Sequence, residues 1–157
     1  MFKTVLWATD GSTAAERALS VAKSIAKTYD AKLLVTNVPV VLGNSPLAVA
    51  ASQESAERTE AALQRKVEDL KRDGVTVELA LPEMTTHGVA HAVAEFARDA
   101  GADLIVVGTQ GSGWLARFMV GGVTRRLLEL APCPILAVPP EDQDVNIRPG
   151  DSVPSID

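Results

Sequence analysis

Short apolar runs alternate along this chain with longer segments in which apolar residues return every three or four positions. Phe2 to Ala8 is apolar, β-branched and aromatic and stops at Thr9-Asp10-Gly11-Ser12, a cluster of turn and cap residues, so it reads as a strand feeding a helix. Thr13-Ala-Ala-Glu16 fits a capping box, and the stripe Ala15, Ala18, Leu19, Ala22, Ile25, Ala26 predicts a helix of about four turns. Ala31 to Val38 is mostly apolar without clean alternation, the pattern of a strand covered on both faces. Pro39 to Ser55 holds Pro39, Gly43, Asn44 and Pro46 and no firm period, which predicts a mobile connection able to fold over a ligand. A second helix is predicted from about Ser55 to Arg72. Ala56, Leu63, Val67 and Leu70 form its inner stripe, and the Glu54/Arg58 and Glu68/Arg72 pairs lie on a solvated face.

Gly74 ends that helix, and Val75 to Leu81 alternates with one face more polar, as expected of a strand near a sheet edge. Gly88 to Ala100 carries Val89, Ala90, Val93, Ala94, Phe96 and Ala97 at helical spacing, and Ala102 to Gly108 reads as a fully buried strand. Gly121-Gly122 opens a last helix with Val123, Leu127, Leu130 and Ala131 expected inward, and Pro134 to Val138 supplies a fifth strand. Glu141 to Asp157, with two prolines, a glycine and an acidic excess, is expected to be a disordered tail. Strands alternating with helices through short connections imply right-handed crossovers. The fold class is therefore α/β, doubly wound, with a mainly parallel five-stranded sheet in the order 3-2-1-4-5, helices on both faces, and one domain over residues 1–140. Ligands of such sheets sit beyond the carboxyl ends of the strands where the winding reverses, which singles out Thr9-Asp10 and Gly108 to Gly111.

Composition narrows the function more than the fold. The 157 residues suit one core, and 46% hydrophobic with 22% charged residues argues against disorder or a fibrous architecture. A net charge of -5 opposes the broad basic surface of a nucleic-acid binder and attraction to anionic membranes. The lone Cys133 has no second thiol for a disulfide, redox pair or metal cluster, and no run approaches a membrane span. A cytoplasmic protein without nucleic-acid or membrane partners is expected, one that holds any small anion locally.

The candidate chemistry lies in the glycines. Gly108-Thr109-Gln110-Gly111 leaves the buried strand after Val107, and after nine residues comes Gly121-Gly122-Val123-Thr124 at a helix start. Phosphate oxygens need several amide N–H groups converging on one concavity, and glycine permits the close backbone approach. The unpaired N–H groups of the last helix favour an anion against Gly122, Val123 and Thr124. On the glycines alone two readings stand equal: a phosphate cradle, or two turns without a ligand. No Gly-Lys pair occurs and the first turn lacks Gly-x-Gly-x-x-Gly, which disfavours P-loop hydrolysis and hydride transfer.

Gly108-TQ-Gly111-SGWLARFMV-Gly121-Gly122 resembles the signature of the universal stress protein family: Gly, two residues, Gly, nine residues, Gly, then Ser or Thr. The resemblance spans residues 2–140. Ala8-Thr9-Asp10-Gly11-Ser12 is similar to that family's first strand exit, Asn37-Val38 to its second, and Cys133 to Val138 to its last strand. It implies a Rossmann-like fold and, in the nucleotide-binding branch, ATP as ligand. Asp10 with its neighbours Ala8 and Thr9, and the Val38 backbone, would contact adenosine. Gly108 to Gly111 and Gly121 to Thr124 would hold the phosphates, with magnesium bridging them, and Val107 would stand among the nucleotide-binding residues. It also implies a homodimer through the fifth strand, Pro134 to Val138, whose apolar edge invites a second copy. Gly122 departs from the signature's Ser or Thr. One hydrogen bond to a charged group contributes about 1.5 to 3 kcal/mol, so its loss costs roughly tenfold in affinity unless Thr124 compensates.

Other residues carry less. His87 and His91 stand at helical spacing without a third ligand and read as helix-start and surface histidines. Ser12 and Thr13 lie in no nucleophile elbow and read as caps. In the nine-residue span, Trp114 and Phe118 read as packing residues and Arg117 reaches either a phosphate or water. With no acid, base or nucleophile constellation, ATP is expected to act in stress response or signalling as a bound ligand, hydrolysed slowly or not at all. The alternatives are a nucleotide-free dimeric interaction module of the same family and an ATP-cleaving enzyme, the latter lacking a phosphate loop after the first strand.

Overall fold

The computed structural model describes residues 1–40, 43, 45–82, 88–109 and 121–140. Strands β1 (Thr4–Ala8), β2 (Lys32–Thr36), β3 (Val77–Leu79), β4 (Leu104–Gly108) and β5 (Ile135–Val138) alternate with helices α1 (Thr13–Tyr29), α2 (Pro46–Arg72), α3 (Val89–Asp99) and α4 (Gly122–Leu130). All pairings are parallel and the sheet order is β3-β2-β1-β4-β5, as the pattern predicts.

Because successive side chains of a strand point to opposite faces, the sheet builds two cores. On one face Val5, Trp7, Leu33, Val35, Leu104 and Val106 pack with Ala18, Ala22 and Ala26 of α1 and Leu63, Val67 and Leu70 of α2. On the other, Leu6, Leu34, Ile105 and Val107 pack with Ala90, Val93, Ala94 and Ala97 of α3 and Leu127 of α4. The winding reverses between β1 and β4, where their carboxyl ends lie side by side.

Several local expectations are corrected. Ser12, not Thr13, caps α1: its backbone is extended (φ -72, ψ 161) and its side chain accepts from the Ala15 N–H. Glu16 therefore closes no capping box and pairs instead with Lys66 at 2.7 Å. Helix α2 begins at Pro46, nine residues before Ser55, because Ser45 accepts from the Ala48 N–H and proline fits the first helical position. The connection after β2 is shorter than expected by that stretch. Glu54 does pair with Arg58, whereas Glu68 bonds Lys71 and Arg72 bonds Asp69, each three residues apart. Val123 is exposed, whereas α4 buries Leu127, as expected, together with Thr124. The tail of residues 141–157 lies outside the described residues, as do Trp114, Arg117, Phe118 and His87.

Candidate functional site

The chain ends of β1, β2 and β4 and the start of α4 surround a cleft of about 250 Å³. Its walls are mainly apolar: Ala8 from β1, Val38 and Val40 after β2, Val89 and Val93 from α3, and Val107 and Leu127 behind. Its polar groups lie at the strand exits. Ten of the expected site residues line it: Ala8, Thr9, Asp10, Val38, Val107, Gly108, Gly121, Gly122, Val123 and Thr124. Thr109 does not. It is held in the sheet continuation, where its N–H donates to the Val138 carbonyl at 2.9 Å and its carbonyl accepts from the Gly121 N–H at 2.8 Å. Gln110 and Gly111 lie outside the described residues.

Hydrogen bonds fix the exit of β1. The Thr9 N–H donates to the Thr36 carbonyl at 3.0 Å, and the Asn37 side-chain amide donates to the Thr9 carbonyl at 2.7 Å. The Thr9 hydroxyl accepts from the Gly11 N–H at 3.1 Å, across a turn that needs positive φ at Gly11 (+77). Asp10 is exposed, and one of its carboxylate oxygens accepts from the Ser12 N–H at 2.9 Å. Beneath them, the Trp7 indole N–H donates to the Ala15 carbonyl at 2.9 Å and pins α1 to β1.

The glycines divide by cause. A Cβ on Gly108 would lie 2.7 Å from the Ala15 nitrogen and 2.8 Å from the Ala14 carbonyl carbon, both backbone atoms. The contact of β4 with α1 is by itself enough to require glycine there. A Cβ on Gly122 would meet nothing within 4 Å. Its space is open for an occupant of the cleft. Gly121 is the N-cap of α4 and offers no side-chain bond, so the first N–H groups of that helix have no intrahelical partner. Thr124, buried one turn in, donates its hydroxyl to the Gly108 carbonyl at 2.9 Å. That proton is committed, so Thr124 cannot replace the hydroxyl that Gly122 lacks.

Sequence reasoning missed Thr36. It ends β2, lines the cleft and is wholly buried, and among the described residues its Oγ1 has no hydrogen-bond partner. The available signal was a hydroxyl inside an otherwise apolar buried strand. Among the described residues, no group of three His, Cys, Asp or Glu side chains could hold a metal, and His91 lies half-buried on α3.

A family model described as the universal stress protein family matches residues 1–139. The chain belongs to the universal stress protein family. A universal stress protein of Thermus aquaticus is 38% identical over 142 residues, which is 88% of this chain and 99% of that one. Among solved structures, the universal stress protein UspA from Lactobacillus plantarum superimposes with a TM-score of 0.75 at 21% identity, covering 87% of this chain and 97% of that one. A universal stress protein in complex with cAMP matches with a TM-score of 0.64 at 27% identity, covering 89% and 99%. The fold of this universal stress protein is therefore that of its relatives. No helix among its described residues is long and apolar enough to cross a membrane.

Proposed function

We propose that this universal stress protein binds ATP in the cleft and serves as a nucleotide-dependent module of stress response or signalling in the cytoplasm, with slow hydrolysis or none. The observation that carries this reading is the meeting of opposite chemistries in one cleft. Apolar walls beside Val38 suit a base, Asp10 at the strand exit suits a ribose, and the N–H groups of Gly122 to Thr124, which have no partner within the helix, suit phosphate. The residues fit the ligand on two counts: open space stands where a Gly122 Cβ would project, and among the described residues the buried Thr36 hydroxyl has no partner. The relative solved with cAMP supports an adenine nucleotide as the class. Magnesium enters this reading on the phosphates. Gln110 and Gly111 belong to the proposed phosphate grip from their place in the glycine motif, and residues 1–140 form the proposed functional domain, with 141–157 as its tail.

The proposal includes a homodimer. Strand β5 is a sheet edge, and Leu136, on its α1 side, is 36% exposed. Analytical ultracentrifugation tests it.

For the nucleotide, heat-denatured protein is checked for released ATP by absorbance and mass spectrometry, and purified protein is titrated with ATP and magnesium by calorimetry. Saturable binding with negligible turnover is expected. Rapid product formation would overturn the non-enzymatic part, and absence of heat and of released nucleotide would overturn the whole. A second reading, a nucleotide-free interaction module, is favoured by Gly108, whose packing against Ala14 and Ala15 explains that glycine without any ligand.

A further inference from the structure

We infer that Thr36 is a specificity residue of the cleft, its hydroxyl paired by the base half of the bound nucleotide; the inference rests on the nucleotide reading above. Burying a hydroxyl without a partner is costly, and the great majority of buried polar atoms are bonded. Thr36 is 0% exposed, and among the described residues its Oγ1 is without a partner. Its own carbonyl accepts from Thr9, and the adjacent Asn37 side chain is spent on the Thr9 carbonyl. Thr36 lines the cleft, and its hydroxyl, closed to water in this arrangement, meets an occupant there only through a small opening of the cleft wall.

Position decides which half of the ligand that is. Thr36 pairs in register with Ala8 of β1, and β1 lies between β2 and β4. The start of α4 is tied to the end of β4 through Thr124 and Gly108. Thr36 and the phosphate-favouring helix start are thus two strand spacings apart, about 10 Å. A nucleotide anchored by phosphate at α4 and extended across β1 brings its base, not its phosphates, over β2. The base edge offers both donors and acceptors, and a hydroxyl can serve either. The apolar walls from Val38 and Val40 keep that bond away from water, where a bond discriminates best between occupants.

The test uses Thr36→Val, which exchanges the hydroxyl for a methyl of nearly the same size, and Thr36→Ser, which keeps it. Each full-length variant is titrated with ATP and with adenosine, which has no phosphate, and each is melted without ligand. Thr36→Val is expected to bind both ligands about three- to tenfold more weakly, by the same factor, and Thr36→Ser to restore most of the affinity. Without ligand, Thr36→Val should melt no lower than the parent protein, since it removes an unpaired buried polar atom. Equal affinity of Thr36→Val and the parent would overturn the inference while leaving the nucleotide reading in place. So would a weakening seen with ATP but not adenosine, or a clear loss of ligand-free stability. A parent protein that binds neither ligand would overturn both.

Discussion

The Thr124 hydroxyl donates a 2.9 Å hydrogen bond to the carbonyl oxygen of Gly108, so the first turn of α4 is fastened to the end of β4. With the Gly121 N–H bonded to the Thr109 carbonyl, the helix start is held in place by the protein alone. An anion site built on helix N–H groups gains from this, because the groups need not be ordered when the ligand arrives. Thr124→Val removes the bond and leaves a carbonyl unpaired in a partly buried setting, at a cost of about 1 to 2 kcal/mol. The variant should melt a few degrees lower and bind ATP several-fold more weakly, whereas Thr124→Ser should differ little in either measurement. Full ATP affinity in a destabilised Thr124→Val would show that the bond serves folding only.

Gly108 tests the packing of β4 on α1. Alanine there would push a methyl against the backbone of Ala14 and Ala15, which cannot move aside as a flexible side chain would. Overpacking of this kind costs about 1 to 3 kcal/mol, or roughly 3 to 10 °C in melting temperature for a domain of this size. Gly108→Ala should show that loss in ligand-free protein by differential scanning calorimetry. An unchanged melting temperature would mean that the two elements separate freely and that glycine is kept there for another reason.

What could be read in advance followed from periodicity. Leu33, Leu34 and Val35 are buried in succession, which marks a two-sided strand, and the alanines of α1 recur at helical spacing. Once strand and helix alternate, the switch point brings Thr9 and Gly108 to the same cleft. The start of α2 was hidden because Pro46 and Leu47 follow a turn-rich stretch, and Leu47 is 81% exposed, so no apolar stripe announces the first turns. Thr36 was hidden because threonine is an ordinary strand residue, and only the neighbours supplied by other strands reveal that its hydroxyl is orphaned. The cause of Gly108 was equally invisible: a turn, a phosphate and a helix backbone all ask for the same residue.

At the opposite end of the sheet, one Asp103 carboxylate oxygen accepts from the N–H groups of Lys3 (2.6 Å) and Thr4 (2.8 Å). The Lys3 and Thr4 bonds favour the charged form and hold the Asp103 pKa below its usual 3.8. Because the folded value is the lower one, the contribution is fully present above pH 3.8 and is lost as the pH falls toward the folded value. Solvent exposure limits it to about 1 kcal/mol. Asp103→Asn should therefore be less stable than the parent near neutral pH, and the gap should close below pH 3.8 in acid unfolding followed by circular dichroism. A gap that persists unchanged into acid would assign the loss to geometry and not to charge.

Gly122 offers a gain instead of a loss. It is the first residue of α4, it has no positive φ to forbid a side chain, and a Cβ there meets nothing within 4 Å. Serine at this position should fold without penalty and point a hydroxyl into the region where the first N–H groups of α4, free of intrahelical partners, favour phosphate. A hydrogen bond from a hydroxyl to a charged oxygen contributes about 1.5 to 3 kcal/mol, so Gly122→Ser should bind ATP at least about tenfold more tightly. Gly122→Ala adds the same carbon without the hydroxyl and should leave the affinity near that of the parent. Adenosine, lacking phosphate, should distinguish none of the three. If serine and alanine alter ATP binding alike, the effect is one of space or backbone stiffness, and the phosphates do not lie at the start of α4.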